Sequence, residues 1–332
     1  MMLTVVLLLV SALVIYLSCE YFVNGIEWVG HRFGMTQNAV GTVLAAFGTA
    51  LPESVVTFVA VAFGNAPDSK QIGVGAALGG PLVLATVAYA VVGITFLLSK
   101  NRFPWPTVMR SVEGMLARDQ KWFMAVFVFK IALGLVVFAY KPWLGIPFLI
   151  AYGLYVRSSM TQEGECAVAE DLEPLKLRPR DAEPSTAWAL LQTGAALIVI
   201  FFASQLFVHQ LEAIGPWLGI PPQLVALLLS PVATELPETL NAVIWVRQQK
   251  PDLALANISG AMMIQATIPS ALGIFFTPWL LDKSLVWAGV VTMMSIAGIY
   301  FALRSKRLSA RGFASFGLLY GVFALGLLIT TR

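Results

Sequence analysis

One short motif occurs twice in this chain, at 49–53 and at 234–238, each time inside a long apolar run. Both copies read Thr-x-Leu-Pro-Glu, and they are 185 residues apart. The same offset relates 33–53 to 218–238 without a gap. One half of the chain is therefore a copy of the other, and each half must fold into a unit that holds a proline and a carboxylate within an apolar segment.

The composition of the chain places it in a lipid bilayer. Of its 332 residues, 58% are hydrophobic and 12% are charged, and the mean hydropathy is +0.80. Soluble domains carry about 25% charged residues, so a soluble globular protein is excluded. The net charge of +3 comes from basic residues spread over short connecting segments. No nucleic-acid partner is expected from that distribution.

Ten segments are apolar and long enough to cross the membrane, because a transmembrane helix needs roughly 20 mostly apolar residues. Five precede the polar stretch 159–185 and five follow it. An odd number of spans in each half gives the two copies opposite orientations. The sequence thus predicts an all-α polytopic membrane protein with ten transmembrane helices in a 5+5 inverted-topology repeat. The predicted spans are 2–23, 36–63, 72–99, 121–140, 142–158, 186–210, 220–246, 253–280, 284–303 and 312–331.

The basic residues indicate how these spans are oriented. With both termini outside, 16 of the 21 Lys and Arg residues fall inside, four fall outside, and Lys130 lies within the fourth span. The positive-inside rule then predicts an N-out/C-out, multi-pass protein of the cell (inner or plasma) membrane. Residues 1–158 and 186–332 form the two repeats, and 159–185 is expected to be a solvated cytoplasmic linker. We expect four tryptophans to anchor the protein at the membrane interface: Trp105, Trp143, Trp217 and Trp279.

The carboxylates of the motifs need compensation at membrane depth. A carboxylate in hydrocarbon costs about 2.5–3.5 kcal/mol, and Glu53, Glu235 and Glu238 all lie in long apolar runs. Pairing with basic residues is one interpretation, but Lys130 is the only basic residue in the interior of a predicted span, away from its ends. One lysine does not neutralise three carboxylates. Lys130 either tethers a carboxylate when no cation is bound or extends toward the interface.

The prolines of the motifs supply further oxygen atoms. Pro52 has no N–H to donate to the carbonyl of Gly48, and Pro237 has none for Ala233. A carbonyl without its helical partner is tolerated at membrane depth only where it faces protein, water or an ion. Each copy also has its Thr and Glu four residues apart, on one helix face. Two inverted copies that meet at the midplane would form an anionic, oxygen-rich cage suited to Ca2+ or Na+.

The two motifs resemble the alpha repeats of the cation/Ca2+ exchanger superfamily, whose signature is Gly-Thr-Ser-Leu-Pro-Glu in both halves. The similarity is to the bacterial-type sodium/calcium exchanger membrane proteins with two inverted alpha repeats. It implies gating by the first and sixth spans, which slide past a core formed by spans 2, 3, 7 and 8. It also implies ion ligation by Thr49, Glu53, Thr234 and Glu238, with carbonyl groups from Gly48 and Ala233.

The chain departs from the family pattern at several of these positions. The signature Ser is Ala50 in the first motif and Glu235 in the second. In the helices that follow, only Asn257 remains of the expected Asn, Ser and Asn or Asp positions. We expect Glu235 to restore negative charge to the site. Further oxygen ligands are expected from the Gln265 side chain and from two carbonyls freed by prolines, those of Gln265 and Ala77.

These observations predict a secondary active cation antiporter, most simply one that exchanges Na+ for Ca2+. A site rich in Glu also binds protons, so H+-coupled exchange of Ca2+ or another divalent cation is the alternative. A passive cation channel would use similar oxygen atoms. An enzyme is not expected, since His31 and His209 are the only histidines and lack metal-binding spacing. No cofactor is expected beyond the transported Ca2+ and Na+ (or H+), and the oligomeric state is left open.

Overall fold

The computed structural model describes residues 2–36, 39–63, 67–99, 104–161, 172–214 and 230–330. Every regular element within these residues is helical. The α-helices of the first half are α1 (Met2–Arg32), α2 (Ala46–Phe63), α3 (Pro67–Val83), α4 (Tyr89–Leu98), α5 (Trp105–Gly134) and α6 (Gly145–Met160). Those of the second half are α7 (Thr186–Ile214), α8 (Ser230–Thr234), α9 (Leu236–Arg247), α10 (Pro251–Phe276), α11 (Lys283–Arg304), α12 (Ala310–Ser315) and α13 (Leu318–Thr330).

Six helical segments in the described residues have the length and apolar composition of a membrane span. They are Met2–Arg32, Gly73–Leu98, Thr186–Phe207, Pro251–Phe276, Lys283–Arg304 and Ala310–Leu328. The protein is an all-helical, multi-pass membrane protein, as the composition indicates. The count of ten spans and the N-out/C-out orientation stay predictions. Residues 220–229 of the predicted seventh span lie outside the described residues.

The predicted fourth span, 121–140, has the wrong boundaries. The helix in this region, α5, begins at Trp105 and ends at Gly134, and its second residue is Pro106, a residue suited to the first turn of a helix. At its other end the Gly134 carbonyl accepts a hydrogen bond from the Leu281 amide at 3.1 Å, which ties the end of α5 to the other half. Hydropathy alone reveals neither end of α5, because its start depends on a proline in the first turn and its end on a tertiary contact.

Helix α10 lies at the centre of the molecule. It packs against α2, α3, α5, α6 and α9, and almost all of its residues are buried. A helix that is apolar on all sides is expected in such a position. Gly260 permits the closest approach, since a Cβ there would lie 2.2 Å from the Thr42 carbonyl oxygen. The start of the first motif's span is thus held directly against the second half.

Three interruptions occur in the helices that surround α10. A π-helical turn, Val40–Ala45, precedes α2, and another, Leu84–Ala88, separates α3 from α4. The third interruption separates α8 from α9 at Glu235, the N-cap residue of α9 with φ −86° and ψ 6°. Irregular backbone at membrane depth occurs where it is buried in protein or lines an ion path, and π-helical turns are frequent at functional sites.

Helices α1 and α7 form the most extensive helix pair in the described residues, and the linker is attached to both. The Asn24 amide of α1 donates to the carbonyls of Glu173 and Pro174 at 3.2 and 3.3 Å. The Gln192 side chain of α7 accepts from the Leu177 amide at 2.8 Å, and Leu175 is fully buried. Most of residues 172–185 are exposed, as expected of a solvated linker, while Leu175 and several backbone groups attach the segment to α1 and α7. Its position as a cytoplasmic linker stays a prediction.

Candidate cation site

Glu238 lies in the first turn of α9 and is buried, with 1% of its surface exposed. The helix starts at this point because Pro237 suits the first turn and ends the α8 segment. The unpaired amides and the dipole at a helix N-terminus favour a negative charge. The break in the seventh span thus gives the Glu238 carboxylate a partly compensating electrostatic environment.

Glu235 is held by the central helix of the molecule. It is fully buried, and the Gln265 amide nitrogen of α10 donates to both of its carboxylate oxygens at 2.8 Å. Gly80 of α3 lies beside this pair, because a Cβ on Gly80 would come within 2.6 Å of the Gln265 amide oxygen and 2.8 Å of Glu235 Oε1. Side chains from the second half are thus packed against the backbone of the first half.

Several polar side chains of the α9–α10 hairpin have buried atoms without hydrogen-bond partners in the described part of the chain. Among them are Glu238 at Oε2, and Asn241 and Asn257 at both the oxygen and the nitrogen of the amide. Glu238 and Asn241 are three residues apart on one face of α9. Asn241 is six residues before the end of α9 and Asn257 six residues after the start of α10. In a hairpin with equal rise per residue, the two amides lie at the same depth.

The first half contributes Thr49 to the same region. Its hydroxyl is buried, donates to the Ala45 carbonyl at 3.1 Å, and lies within hydrogen-bonding reach of the Glu238 carboxyl group. Ala45 is the last residue of the π-helical turn before α2. Cys19 of α1 also lies against the start of α9, with its sulfur 3.8 Å from the Pro237 carbonyl oxygen. Residues of both repeats therefore meet around the start of α9.

The remaining predicted ligands do not all lie at the start of α9, and some of their oxygen atoms already have protein partners. Gly48 packs against the Phe22 ring of α1, with a Cβ position 3.1 Å from it. Thr234 is half-buried, and its hydroxyl donates to the Pro231 carbonyl at 3.2 Å. The Ala77 carbonyl accepts a hydrogen bond from the Lys130 ammonium at 2.8 Å. The side chains of Glu53 and Ala233 lie outside what the structure describes, although the helical backbone of both residues is described.

Lys130 is a further member of this region rather than a residue that extends to the interface. It is fully buried, and besides Ala77 it donates to the Ser270 hydroxyl at 3.1 Å. The Phe127 ring centroid lies 4.7 Å from the ammonium nitrogen. Trp279 was predicted as an interfacial anchor, but it is fully buried and donates to the Lys130 carbonyl at 3.0 Å. Trp143, by contrast, is largely exposed.

Sequence reasoning missed Asn241 and Ser270, and it explained Gly80 by close helix packing alone. Asn241 has a readable signal, since it lies three residues after Glu238 in an apolar run. Ser270 has none, and the place of Gly80 beside Glu235 is not readable either, because both depend on contacts between helices of different halves. Among the described residues, no group of three or more His, Cys, Asp or Glu side chains is placed to hold a metal ion. The donors that the structure does bring together are mixed: carboxylate, amide and hydroxyl oxygens.

The fold and these buried polar groups define a class of protein: a multi-pass helical membrane protein of the antiporter type, with broken helices around internal carboxylates. The chain belongs to the sodium/calcium exchanger protein family, which it matches over residues 3–161 and 188–329. The matched regions leave out most of the linker and cover nearly all of both repeats.

Two curated relatives and one solved structure illustrate the similarity. The chain is 25% identical to the inner membrane protein YrbG of Escherichia coli over 93% of its own length and 90% of that protein. It is 24% identical to the membrane protein MJ0091 of Methanocaldococcus jannaschii over 90% of this chain and 89% of that one. The sodium-calcium exchanger NCX_Mj, in a structure soaked with Na+ and Ca2+, superposes with a TM-score of 0.75 at 19% identity and covers 98% of both chains.

Proposed function

We propose that this protein is a secondary active antiporter that exchanges Na+ for Ca2+ through a site at the start of α9. The observation that carries the proposal is the buried Oε2 atom of Glu238, which has no partner in the described residues and is accompanied by the unpartnered amides of Asn241 and Asn257. Buried polar atoms are nearly always hydrogen-bonded. A cluster that is not satisfied by protein atoms is typical of a place that receives a ligand.

The donor types at this site favour a hard cation. Glu238, Asn241, Asn257 and Thr49 offer carboxylate, amide and hydroxyl oxygens, which are the ligands that Ca2+ takes in sets of six to eight. Within the described residues the site holds little sulfur and no histidine, so a softer transition metal is disfavoured. We infer that Glu53 adds a second carboxylate from the first repeat and that Thr234, Gly48 and Ala233 supply further oxygen atoms.

Exchange is favoured over a passive channel by the burial of the site. Glu235, Glu238, Asn241 and Asn257 are each at most 1% exposed. Alternating access in repeat-built transporters moves one bundle against another around such a site near the midplane. The name of the similar structure, a sodium-calcium exchanger, supports Na+ and Ca2+ as the ion pair.

Proton coupling is the alternative, and Glu235 is the observation that favours it. The chain places this third carboxylate, fully buried, at a position where the family signature has Ser. A carboxylate is a group that binds and releases protons, so a third one adds a proton-binding group to the site. We further propose an N-out/C-out arrangement in the cell membrane, with the linker on the cytoplasmic side.

The test is 45Ca2+ uptake into proteoliposomes under an outward Na+ gradient, an outward H+ gradient, or no gradient. Uptake driven by Na+ is the expected result, and uptake driven only by H+ would establish the alternative. Ca2+ flux that needs no counter-ion and does not saturate would indicate a channel. Absence of gradient-driven uptake by folded protein would overturn the proposal.

Two substitutions with a matched control connect the flux to the site. Glu238→Gln and Asn241→Leu are expected to abolish uptake while the protein remains monodisperse in detergent, because each removes an oxygen ligand or its charge. Glu173→Gln, at an exposed carboxylate on the linker, is the control and is expected to retain wild-type flux. Wild-type flux in Glu238→Gln would contradict the site.

A further inference from the structure

Lys130 is a buried positive charge that the proposed exchange does not use. It is 0% exposed, and its ammonium group contacts three groups that suit a cation: the Ala77 carbonyl at 2.8 Å, the Ser270 hydroxyl at 3.1 Å and the Phe127 ring. Burying a lysine so completely is expensive unless the site is built for the charge. The oxygen contacts have the lengths expected for charge-assisted hydrogen bonds.

Two backbone oxygens freed by prolines belong to the contacts of this ammonium group, one directly and one through the Ser270 hydroxyl. Pro81 lies inside α3 and leaves the Ala77 carbonyl without its helical donor, and Pro269 does the same to the Gln265 carbonyl in α10. Lys130 donates directly to the Ala77 carbonyl. The Ser270 hydroxyl, which it also contacts, lies 3.4 Å from the Gln265 carbonyl oxygen. The lysine thus connects to the freed carbonyl of each repeat, between α3 and α10.

A chain of contacts leads from this ammonium group to the carboxylate region. Ser270 contacts the Gln265 backbone, and the Gln265 side chain donates to both oxygens of Glu235. Glu235 in turn interacts electrostatically with Glu238. The positive charge is therefore linked to the anionic site by a chain of contacts, and it comes from α5, a helix outside the α8–α10 segment that carries these carboxylates.

We propose that the Lys130 ammonium group is a resident cation of the transport site, so that the site binds one monovalent cation fewer than it would without the lysine. The expected change in transport stoichiometry rests on the proposed function. The expected change in cation binding does not depend on it. A carbonyl, a hydroxyl and an aromatic face are the surroundings that a small monovalent cation would also accept. Because Lys130 is covalently attached, its charge balances the carboxylates in every state without being transported.

The experiment compares Lys130→Gln with the wild type in detergent and measures Tm in choline chloride and in NaCl at the same ionic strength. Loss of the resident charge is expected to lower Tm in choline. Added Na+ is expected to restore it, with a Na+-dependent rise in Tm at least twofold larger than in the wild type, because a ligand that binds only the folded state stabilises it.

Two further variants separate charge from packing. Lys130→Arg keeps the charge and is expected to keep the wild-type response to Na+. Lys141→Gln is a matched control, since Lys141 is also buried and donates to two carbonyls, those of Val136 and Trp279, and forms no ion pair within the described residues. It is expected to lower Tm equally in choline and in Na+.

The Tm measurements test the role of Lys130 independently of which ions the protein transports. Equal Na+ responses in Lys130→Gln and the wild type would overturn it, and so would a Lys130→Gln protein that fails to fold in either salt. In proteoliposomes, Lys130→Gln is expected to need one more Na+ for each Ca2+ than the wild type, measured from the reversal of 45Ca2+ flux at set gradients. Wild-type protein without Na+-driven uptake would count against the proposed function alone, because the Tm comparison does not need transport.

Discussion

The indole nitrogen of Trp245, near the end of α9, donates a hydrogen bond to Glu27 Oε1 on α1 at 2.8 Å. The other oxygen of Glu27 forms an ion pair with Lys250, in the turn between α9 and α10. Glu27 is almost fully buried. The helix expected to slide during gating is therefore fastened, at the end where the linker lies, to the hairpin that carries Glu238.

Glu27→Gln is expected to weaken this attachment. The variant loses the charge that pairs with Lys250, and a loss of about 1–3 kcal/mol in stability is expected for a partly buried charge-assisted pair. Thermal unfolding in detergent measures the loss. Release of α1 should also speed alkylation of Cys19, whose sulfur lies against the Pro237 carbonyl, in a Cys166→Ser background. An unchanged alkylation rate would show that the contact does not restrain α1.

Gly80→Ala is expected to reduce Ca2+ uptake more than tenfold. The new methyl group would come within 2.6 Å of the Gln265 amide oxygen and 2.8 Å of Glu235 Oε1, so that pair must move. Gly114→Ala in α5 is the control, because a Cβ there meets nothing within 4 Å. It should keep full uptake and gain up to about 1 kcal/mol of stability, as expected for Gly→Ala in a helix. Equal uptake in the two variants would contradict the placement of Gly80 and the Glu235–Gln265 pair at the transport site.

Glu235→Ser restores the residue of the family signature and is expected to change ion preference. It removes a buried negative charge and leaves the Gln265 amide without its carboxylate acceptor. We expect weaker Ca2+ binding and a pH profile of uptake that is flatter than in the wild type. Measurement of 45Ca2+ uptake from pH 6 to pH 9 checks this. An unchanged KM and profile would remove Glu235 from the site.

Stability should depend on pH through Asp119, which precedes the predicted span 121–140. Burial raises the pKa of this carboxyl group from 3.8 to about 6, although the Arg118 guanidinium, at 2.7 and 2.9 Å, opposes the shift. Because the raised pKa belongs to the folded state, the protonated form is favoured there. This contribution to stability is full below about pH 4 and is lost as the pH rises through 6.

The measurement is Tm in detergent between pH 5 and pH 7.5. The wild type should lose stability over this range, and Asp119→Asn should lose less, because its side chain stays neutral. Asp282→Asn, at the residue that caps α11 by accepting from the Leu285 amide, is the comparison for removal of a carboxylate elsewhere in the chain. Parallel curves for Asp119→Asn and the wild type would contradict the raised pKa.

The sequence predicted the large features because they depend on local pattern. The 185-residue offset between the motifs predicts two related halves, and apolar length predicts helices, so most of the expected spans coincide with observed helices. Gln265 was expected near the site from its place in the eighth span, and the structure brings it to Glu235. The position of the Lys130 side chain depends on tertiary packing, because α5 directs it to Ala77 and Ser270, and its role stays a proposal.

Features that depend on contacts between distant segments were not predictable in this way. The linker segment 172–185 reads as polar and solvated, yet its carbonyls satisfy Asn24 and Trp28 of α1. Glu27 reads as a residue at the membrane edge, yet its partners are more than 200 residues away. In both cases the contact is made by a backbone group or by a side chain far away in the sequence. Hydropathy and residue spacing do not predict such contacts.

The break at Glu235 makes the two repeats unequal. The first motif lies in an unbroken helix, α2, and the second is divided between α8 and α9. Two identical inverted halves would, by symmetry, give inward-facing and outward-facing forms of equal energy. Because the second motif, and not the first, is divided and carries an additional carboxylate, we expect the two forms to differ in energy and the protein to have a preferred resting orientation.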